Sequence, residues 1–379
     1  MVLTRRAYKS IARWLPNEVI SEIIQAAPPC DQASLCRTTK LFEGLGAPIL
    51  YRVVNLKRVS IMAFCSTIAS HTSKFAKLVR SFTAHADFSY FIQFQLAALW
   101  KCVKTLLNLE RLRIRGYLAY AREAPEWLSL TFPRLIHCEL YATSSESREQ
   151  QGMLASFLLR HPALKSVHIQ DFTTFESPAW SLTPARIPLH DLQRIWAPPT
   201  VFPGFVVDDL REVRLDWECD HEVMLTPAEP TFIALSAMAR DGPPVCSVYC
   251  SGFEFPSIMD SASKHIPRAK VLRIMMDDLD TRDASAPDKI SQVKNHLPCF
   301  THLEFFAFES LDEVDGRLTF GETEAEDQLT VHDFGDLCPT LQACRLSENA
   351  WRRVNGAWER FSADDFLALA GITLVGLSG

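Results

Sequence analysis

A phrase of the form apolar-x-x-apolar-x-apolar recurs along this chain of 379 residues, and it limits the fold more than any other feature. The clear copies are Leu109/Leu112/Ile114, Leu135/Cys138/Leu140, Leu164/Val167/Ile169 and Leu210/Val213/Leu215. Looser copies are Leu192/Ile195/Ala197, Val245/Val248/Cys250, Ala269/Leu272/Ile274, Leu303/Phe306/Phe308 and Leu341/Cys344/Leu346. Their first residues lie 18 to 38 positions apart. Each closing apolar-x-apolar pair predicts a strand with one buried face, and such a strand needs a stacked neighbour. Two earlier strands are expected at 50–56 and 78–84. Between the copies, 91–108, 150–160, 230–240, 256–265, 288–297 and 324–336 have helical spacing or composition. Strands alternating with helices at this pitch predict an α/β chain with a parallel sheet. The expected form is an irregular solenoid over 53–350, strands on its concave side and helices on its convex side.

Ahead of the repeat lies a short apolar helical stretch, residues 15–52. After Leu15-Pro16, Asn17 is a candidate helix cap, followed by a wide stripe of Val19, Ile20, Ile23 and Ile24. Pro28-Pro29 ends that helix, and Asp31 is expected to cap a second one carrying Ala33, Leu35 and Cys36. A third helix holds Leu45, Ile49 and Leu50 before Tyr51. A unit below roughly 40 residues buries too little surface to stand alone, so these helices must lean on the rest of the chain or on a partner.

The stretch resembles an F-box, the motif that docks adaptor proteins onto the Skp subunit of cullin–RING ubiquitin ligases. Leu15, Pro16, Glu18 and Val19 match the opening of that pattern, and Ile23 the next turn. Asp31 opens the second helix, Phe42 stands where an aromatic is usual, and Leu50-Tyr51 is similar to the closing pair of fungal members. Ala33 and Thr39 differ from the common leucine and cysteine. The repeat itself, with Pro133, Pro162 and Pro339 before its strands and the phrase Trp351–Trp358 near its end, resembles the divergent leucine-rich repeats of basidiomycete-type F-box proteins. The resemblance implies a Skp-facing surface of Leu15, Pro16, Glu18, Val19, Ile23, Leu35, Phe42 and Leu50, with a cullin engaged through Skp.

Charge and composition exclude several classes. At 47% hydrophobic and 22% charged residues the chain is globular, and a net charge of −6 argues against a general nucleic-acid binder. Residues 1–58 carry nine Lys/Arg against four Asp/Glu, whereas 309–336 carry ten acids and only Arg317, which reads as a solvated loop. The basic leader 1–14 has little of a transit peptide about it, because the helical unit starts at once. No run of 18 apolar residues occurs, so no membrane span is expected. The eleven cysteines include no CxxC, and read as reduced, mostly buried thiols of a cytoplasmic or nuclear protein. The end, 351–379, is taken as a cap and tail in which apolar 366–379 supplies a last strand. The proline- and serine-rich stretches 173–189 and 196–204 are expected as loops within one array.

Catalytic motifs are missing from the sequence. There is no GxSxG, GxGxxG or GxxxxGK[ST], and fourteen glycines are few for a phosphate loop. Cys219 and His221 beside Glu222 lack a second ligand pair for zinc. Asp277, Asp278, Asp280 and Asp283 lack the glycine and closing Glu of a calcium loop. His161 and His168 flank a strand as capping or solvated side chains, and Trp100, Phe305, Phe306 and Phe308 suit a core. Neither a cofactor nor a metal is expected.

The middle residue of each strand pair points away from the core. These residues form a predicted row, Arg113, Glu139, His168, Trp196, Arg214, Tyr249, Arg273, Ala307 and Arg345, of the types that carry interface hot spots. Its arginines would suit an acidic or phosphorylated protein target; an exposed face without a partner is the plain alternative. The expected function is a non-catalytic substrate receptor of a Skp–cullin–F-box ligase, not bound to nucleic acid or membrane. Two alternatives remain: a leucine-rich scaffold without a ligase, and an α/β enzyme with an unfamiliar site.

Overall fold

The computed structural model of the chain describes residues 15–70, 74–85, 93–115, 129–143, 148–172, 186–217, 227–238, 245–251, 255–277, 286–310, 324–346 and 348–372. Two compact units divide it, Met1–His137 and Cys138–Gly379, and the break falls inside the stretch read as one array. The leader 1–14, the Cys219/His221/Glu222 cluster, Asp278, Asp280, Asp283 and the last seven residues of the tail lie outside the described residues. Among the described residues, no helix is long and apolar enough to cross a membrane.

The first unit opens with α1 (Asn17–Ala26), α2 (Pro29–Cys36) and α3 (Lys40–Leu50). The apolar stripe of α1 divides by face: Ile20 and Ile24, one turn apart, are buried, while Val19 and Ile23 stay exposed. Caps differ from the sequence expectation. Pro16 stands before α1 with no side-chain cap, and Asn17 is already helical. Pro28 precedes α2 and Pro29 is its first residue, which moves Asp31 into the first turn instead of the cap. A proline that fixes φ and lacks an N–H can do at a helix start what a capping side chain does elsewhere. Thr39 caps α3, its Oγ1 accepting from the Phe42 N–H at 3.1 Å. Gly46 is required where α2 meets α3, because a Cβ there would come within 2.7 Å of Cys36 Sγ.

Three parallel strands follow, β1 (Val53–Lys57), β2 (Ser81–His85) and β3 (Arg111–Arg115), with α4 (Arg58–Ser70) and α5 (Gln93–Val103) between them. Val54, Leu56, Phe82, Ala84, Leu112 and Ile114 fill one sheet face, and Ile61, Cys65, Ile68, Leu99 and Val103 of the helices are buried with them. Helix α4 was not foreseen from the sequence.

In the second unit the elements are β4 (His137–Thr143, beginning at the break), α6 (Arg148–Leu159), β5 (Ser166–Phe172), β6 (Ile187–Pro188), β7 (Arg194–Ala197), β8 (Phe205–Val206) and β9 (Glu212–Asp216). They continue as α7 (Ala228–Met238), β10 (Val245–Ser251), α8 (Phe255–His265), β11 (Val271–Asp277), α9 (Ala286–His296), β12 (Phe305–Ser310), α10 (Glu324–Leu337) and β13 (Ala343–Leu346). A hairpin of β14 (Asn349–Val354) and β15 (Ala357–Phe361) and a last helix, α11 (Ala363–Leu369), complete the unit. Strands β5, β7, β9, β10, β11, β12 and β13 pair in parallel in that order, and β14 and β15 add antiparallel. Short β6 and β8 form a separate parallel pair.

One backbone device joins successive strands. The carbonyl just before a strand accepts two adjacent N–H groups from the next strand's start. Gln193 and Arg194 donate to Lys165, Arg211 and Glu212 to Gln193, Glu304 and Phe305 to Lys270, and Gln342 and Ala343 to Glu304. The first unit repeats it, with Arg80 and Ser81 donating to Arg52, and Glu110 and Arg111 to Arg80. The leading apolar residue of the phrase closes a tight turn just ahead: Leu164, Leu192, Ala269 and Leu341 each donate to the carbonyl three residues back and are buried. This accounts for the first apolar position of the repeat, which the strand pattern alone does not require.

Phe306 packs edge-on to Phe334 of α10 at 5.7 Å and Phe308 lies 5.1 Å from Phe255 of α8, so this face of β12 meets the helices. The hairpin turns at Asn355 and Gly356, φ 52° and 86°, the left-handed pair that a two-residue turn demands. Gly335 lets α10 approach it closely, since a Cβ there would stand 2.8 Å from the Trp358 ring. Within the stretch 366–379 read as a final strand, the described residues 366–369 instead end the helix α11, which is capped by Ser362 Oγ accepting from the Asp365 N–H at 3.0 Å. Its apolar residues Phe366, Leu367 and Ala370, with Ile372, bury against Val245, Val271, Ala307 and Ala343 on the sheet face away from the other helices. Apolar composition did not separate strand from helix here; the cap and the 366/367/370 spacing do.

Candidate binding site on the sheet face

Parallel register sets the row of central side chains. His168 is level with Trp196, Trp196 with Arg214, Arg214 with Ser247, Ser247 with Arg273, Arg273 with Ala307, and Ala307 with Arg345. Ser247 therefore occupies the position expected for Tyr249. Cys246, Val248 and Cys250 are all fully buried, so two overlapping apolar-x-apolar triplets fit β10 and only the hydrogen bonds choose between them. Tyr249 is one step along the same face, level with Asp216 and Met275. Arg113 lies in the first unit, level with Thr83, which is level with Asn55.

The row is a ladder of internal contacts more than a fringe of free side chains. Glu139 and His168 are buried, with His168 Nδ1 3.7 Å from Glu139 Oε1. The His168 imidazole stacks on Trp196 at 3.6 Å and 7° between planes, and the Arg214 guanidinium covers the ring at 3.6 Å. Such a stack holds a guanidinium in a fixed plane. Further along, Arg273 grips Glu309 with two bonds, Nε to Oε1 at 2.8 Å and Nη2 to Oε2 at 2.7 Å. Arg345 Nη1 reaches the same carboxylate at 3.4 Å. Burial lowers the pKa of both Arg214 and Arg345, with Asp216 and Glu309 respectively acting against that shift.

Asp216 carries the largest electrostatic cost in this cluster. Burial raises its carboxyl from an ordinary 3.8 to about 6, against which first Arg214 and then the Trp196 indole N–H act. Asp216 Oδ1 and Trp196 Nε1 are both buried without closing a hydrogen bond. Because the folded pKa lies above the unfolded one, the associated stability is fullest below the unfolded value and is lost as pH rises through about 6. A shift of about two units corresponds to about 3 kcal/mol. Asp216→Asn is therefore expected to stabilise the protein by up to about 3 kcal/mol at neutral pH, and hardly at all near pH 4. Urea unfolding at the two pH values checks this; equal gains at both would assign the effect to something other than proton linkage.

His161 is buried and caps the end of α6, its Nδ1–H donating to the Phe157 carbonyl at 2.7 Å, and burial lowers its pKa. Cys65, Cys102, Cys138, Cys246, Cys250, Cys338 and Cys344 are buried free thiols, while Cys30 and Cys299 are exposed. Burial pushes Cys246 up to about 12, so it is no thiolate nucleophile. A pocket of about 420 Å³ is lined by Arg194, Asp209, Arg211, Glu212, Val245 and Gly371, at the amino-terminal ends of β7, β9 and β10. Ligand crevices of parallel α/β enzymes lie at the opposite, carboxyl ends. Among the described residues, no group of three His, Cys, Asp or Glu side chains could hold a metal ion.

Leu15, just ahead of α1, and Val19 and Ile23 on it follow one another at four-residue spacing and are 37%, 36% and 51% exposed. Pro16 and Glu18 beside them are exposed as well, whereas Leu35, Phe42 and Leu50 are half-buried within the three-helix unit. Leu41 is a further exposed apolar side chain at the start of α3. Compared with known proteins, the chain matches no family model and no curated protein.

Proposed function

We propose that the protein is a substrate receptor of a Skp–cullin–F-box ubiquitin ligase, docking through its first helices and holding a protein target on a solenoid sheet face. The observation that carries this reading is the ridge of Leu15, Val19 and Ile23, which stays in water although the same helix has buried Ile20 and Ile24. A helix that keeps a second apolar face unburied is costly in an isolated chain and useful in a complex. The second support is the ladder of parallel strands in chain order, which sets His168, Trp196 and Arg214 level with one another on one sheet face. The receptor performs no chemistry in this reading; it raises the local concentration of target beside a ubiquitin-charged enzyme.

Because Val19 and Ile23 are exposed, Val19→Glu/Ile23→Glu tests the docking role without disturbing the core. Co-expressed with a Skp subunit, the intact chain is expected to co-purify with it, and the double variant to lose at least about tenfold of the bound Skp, each apolar contact contributing about 1.5–3 kcal/mol. A variant that stays folded by circular dichroism and retains full Skp binding would overturn the reading.

A further inference from the structure

The two units differ in charge. Met1–His137 carries nineteen Lys/Arg against eight Asp/Glu, and Cys138–Gly379 twenty against thirty-seven. Among the described residues of 53–137, Glu110 is the sole acid. Several cations of this unit gather at one end of its strands. Arg52, Arg80 and Glu110 stand immediately before β1, β2 and β3, and Arg111 opens β3 level with Ser81, which is level with Val53. Lys77 and Arg134 lie in the turns that lead into β2 and β4. Backbone bonds fix their spacing: Glu110 and Arg111 donate to the Arg80 carbonyl, and Ile136 and His137 to that of Glu110. Asn108 Nδ2 donates to the Lys77 carbonyl at 2.8 Å. In the second unit Glu309 neutralises Arg273 and Arg345, but here the charge stays in water. Arg52, Lys77, Arg111 and Arg134 are exposed and make no ion pair among the described residues. Only Arg80 of the five is paired, with Glu110 at 3.5 Å.

We propose that this rim of strand starts, Arg52, Lys77, Arg80, Arg111 and Arg134, captures an acidic polypeptide segment of the bound protein. The inference rests on the substrate-receptor reading and gives the chemistry of its target. Four strand starts about 4.8 Å apart span about 14 Å, which four or five residues of an extended segment cover at about 3.3 Å each. Exposed cations of one sign draw a complementary segment in from a distance and set its register. Other polyanions fit less well. A nucleic-acid strand needs rings on which its bases stack. Tyr51, beside Arg52, is already stacked on Phe75 at 4.6 Å, and Phe132, near Arg134, is buried. A long polyanion or an anionic membrane would also meet the field of the whole chain, net −6, whereas a segment of a few residues meets the rim alone within a Debye length.

The test titrates the full chain into rhodamine-labelled octaglutamate, read by anisotropy at neutral pH and low salt, with octauridylate and phosphatidylserine vesicles as the other arms. Octaglutamate is expected to bind more tightly than octauridylate, and the vesicles to capture no protein. Arg111→Glu/Arg134→Glu, which reverses two exposed charges, is expected to weaken octaglutamate binding at least about tenfold. Lys165→Glu/Arg186→Glu makes the same charge change at exposed positions of the second unit and is expected to weaken it less than about twofold. Absent octaglutamate binding, tighter octauridylate binding, capture by the vesicles, or equal losses in the two variants would each overturn the proposal. If Arg111→Glu/Arg134→Glu departs from the wild-type circular dichroism, Lys77→Ala/Arg134→Ala decides in its place, with an expected loss of several-fold. The Arg111→Glu/Arg134→Glu chain is expected to co-purify with Skp as the intact chain does, so failure of the rim and failure of Skp docking are distinguished.

Discussion

Replacing Glu309 with Gln is expected to destabilise the second unit by about 3–5 kcal/mol, the usual cost of removing one member of a buried ion pair. The side chain of Glu309 is 7% exposed and those of Arg273 and Arg345 are 11% and 15% exposed, so water cannot take over the neutralising role. Two guanidiniums would be left facing one neutral amide of the same shape, which makes the loss electrostatic and not a cavity effect. Removing the cluster as a unit, with Arg273→Met, Glu309→Leu and Arg345→Met together, is expected to cost less than Glu309→Gln alone, because buried ion clusters are often replaceable by apolar residues of similar volume. Urea denaturation of the single and triple variants measures the difference. A triple variant at least as unstable as Glu309→Gln would mean that the cluster organises the sheet in some further way.

Phe366→Ala is expected to cost about 3–5 kcal/mol, the range for truncating a buried aromatic to Ala. Its ring is fully buried and meets Phe305 edge-on at 6.2 Å and Phe361 at 6.3 Å, joining helix, sheet and hairpin. The short helix α11 has few other means of attachment: Leu367, Ala370 and Ile372 supply the rest of its apolar contact. The variant is therefore expected to release α11 and expose Val245, Val271, Phe305 and Ala343, which an apolar dye would report as increased fluorescence at neutral pH. A loss under about 1 kcal/mol with no dye response would show that the sheet does not depend on this helix.

Much of this architecture was legible because burial and period coincide. The strands expected at 78–84 and in the nine phrases fall on strands, and the six expected outer helices fall on α5 to α10. What escaped notice lacked a local signal. Helix α4, RVSIMAFCSTIAS, is rich in β-branched and small residues and contacts both sheet and helix, so its apolar period is blurred. The tail offered too few residues for either period to assert itself. Within the candidate site, the residue types of the row were readable, and so was the face they share. Their neutralisation was not: Arg273 and Glu309 are 36 positions apart, and nothing in the sequence says that a glutamate two steps off the central row will be gripped by an arginine on it. Ser247 was missed for a related reason, since a shift of two along a strand preserves every alternation that a sequence displays.

The paired donation to a single carbonyl at several strand starts carries a consequence for how such a chain tolerates change. At those rungs the start is fixed by main-chain atoms whose bonding is indifferent to side-chain identity. Slack can then accumulate beyond the far end without misaligning the next rung. Pitch is thereby uncoupled from alignment, which is why spans of 18 and 38 residues can sit in the same stack. Segments grafted after a strand's last residue are expected to be accommodated, while even a single residue added between the fastening carbonyl and the strand it precedes would turn that rung's interior side chains outward.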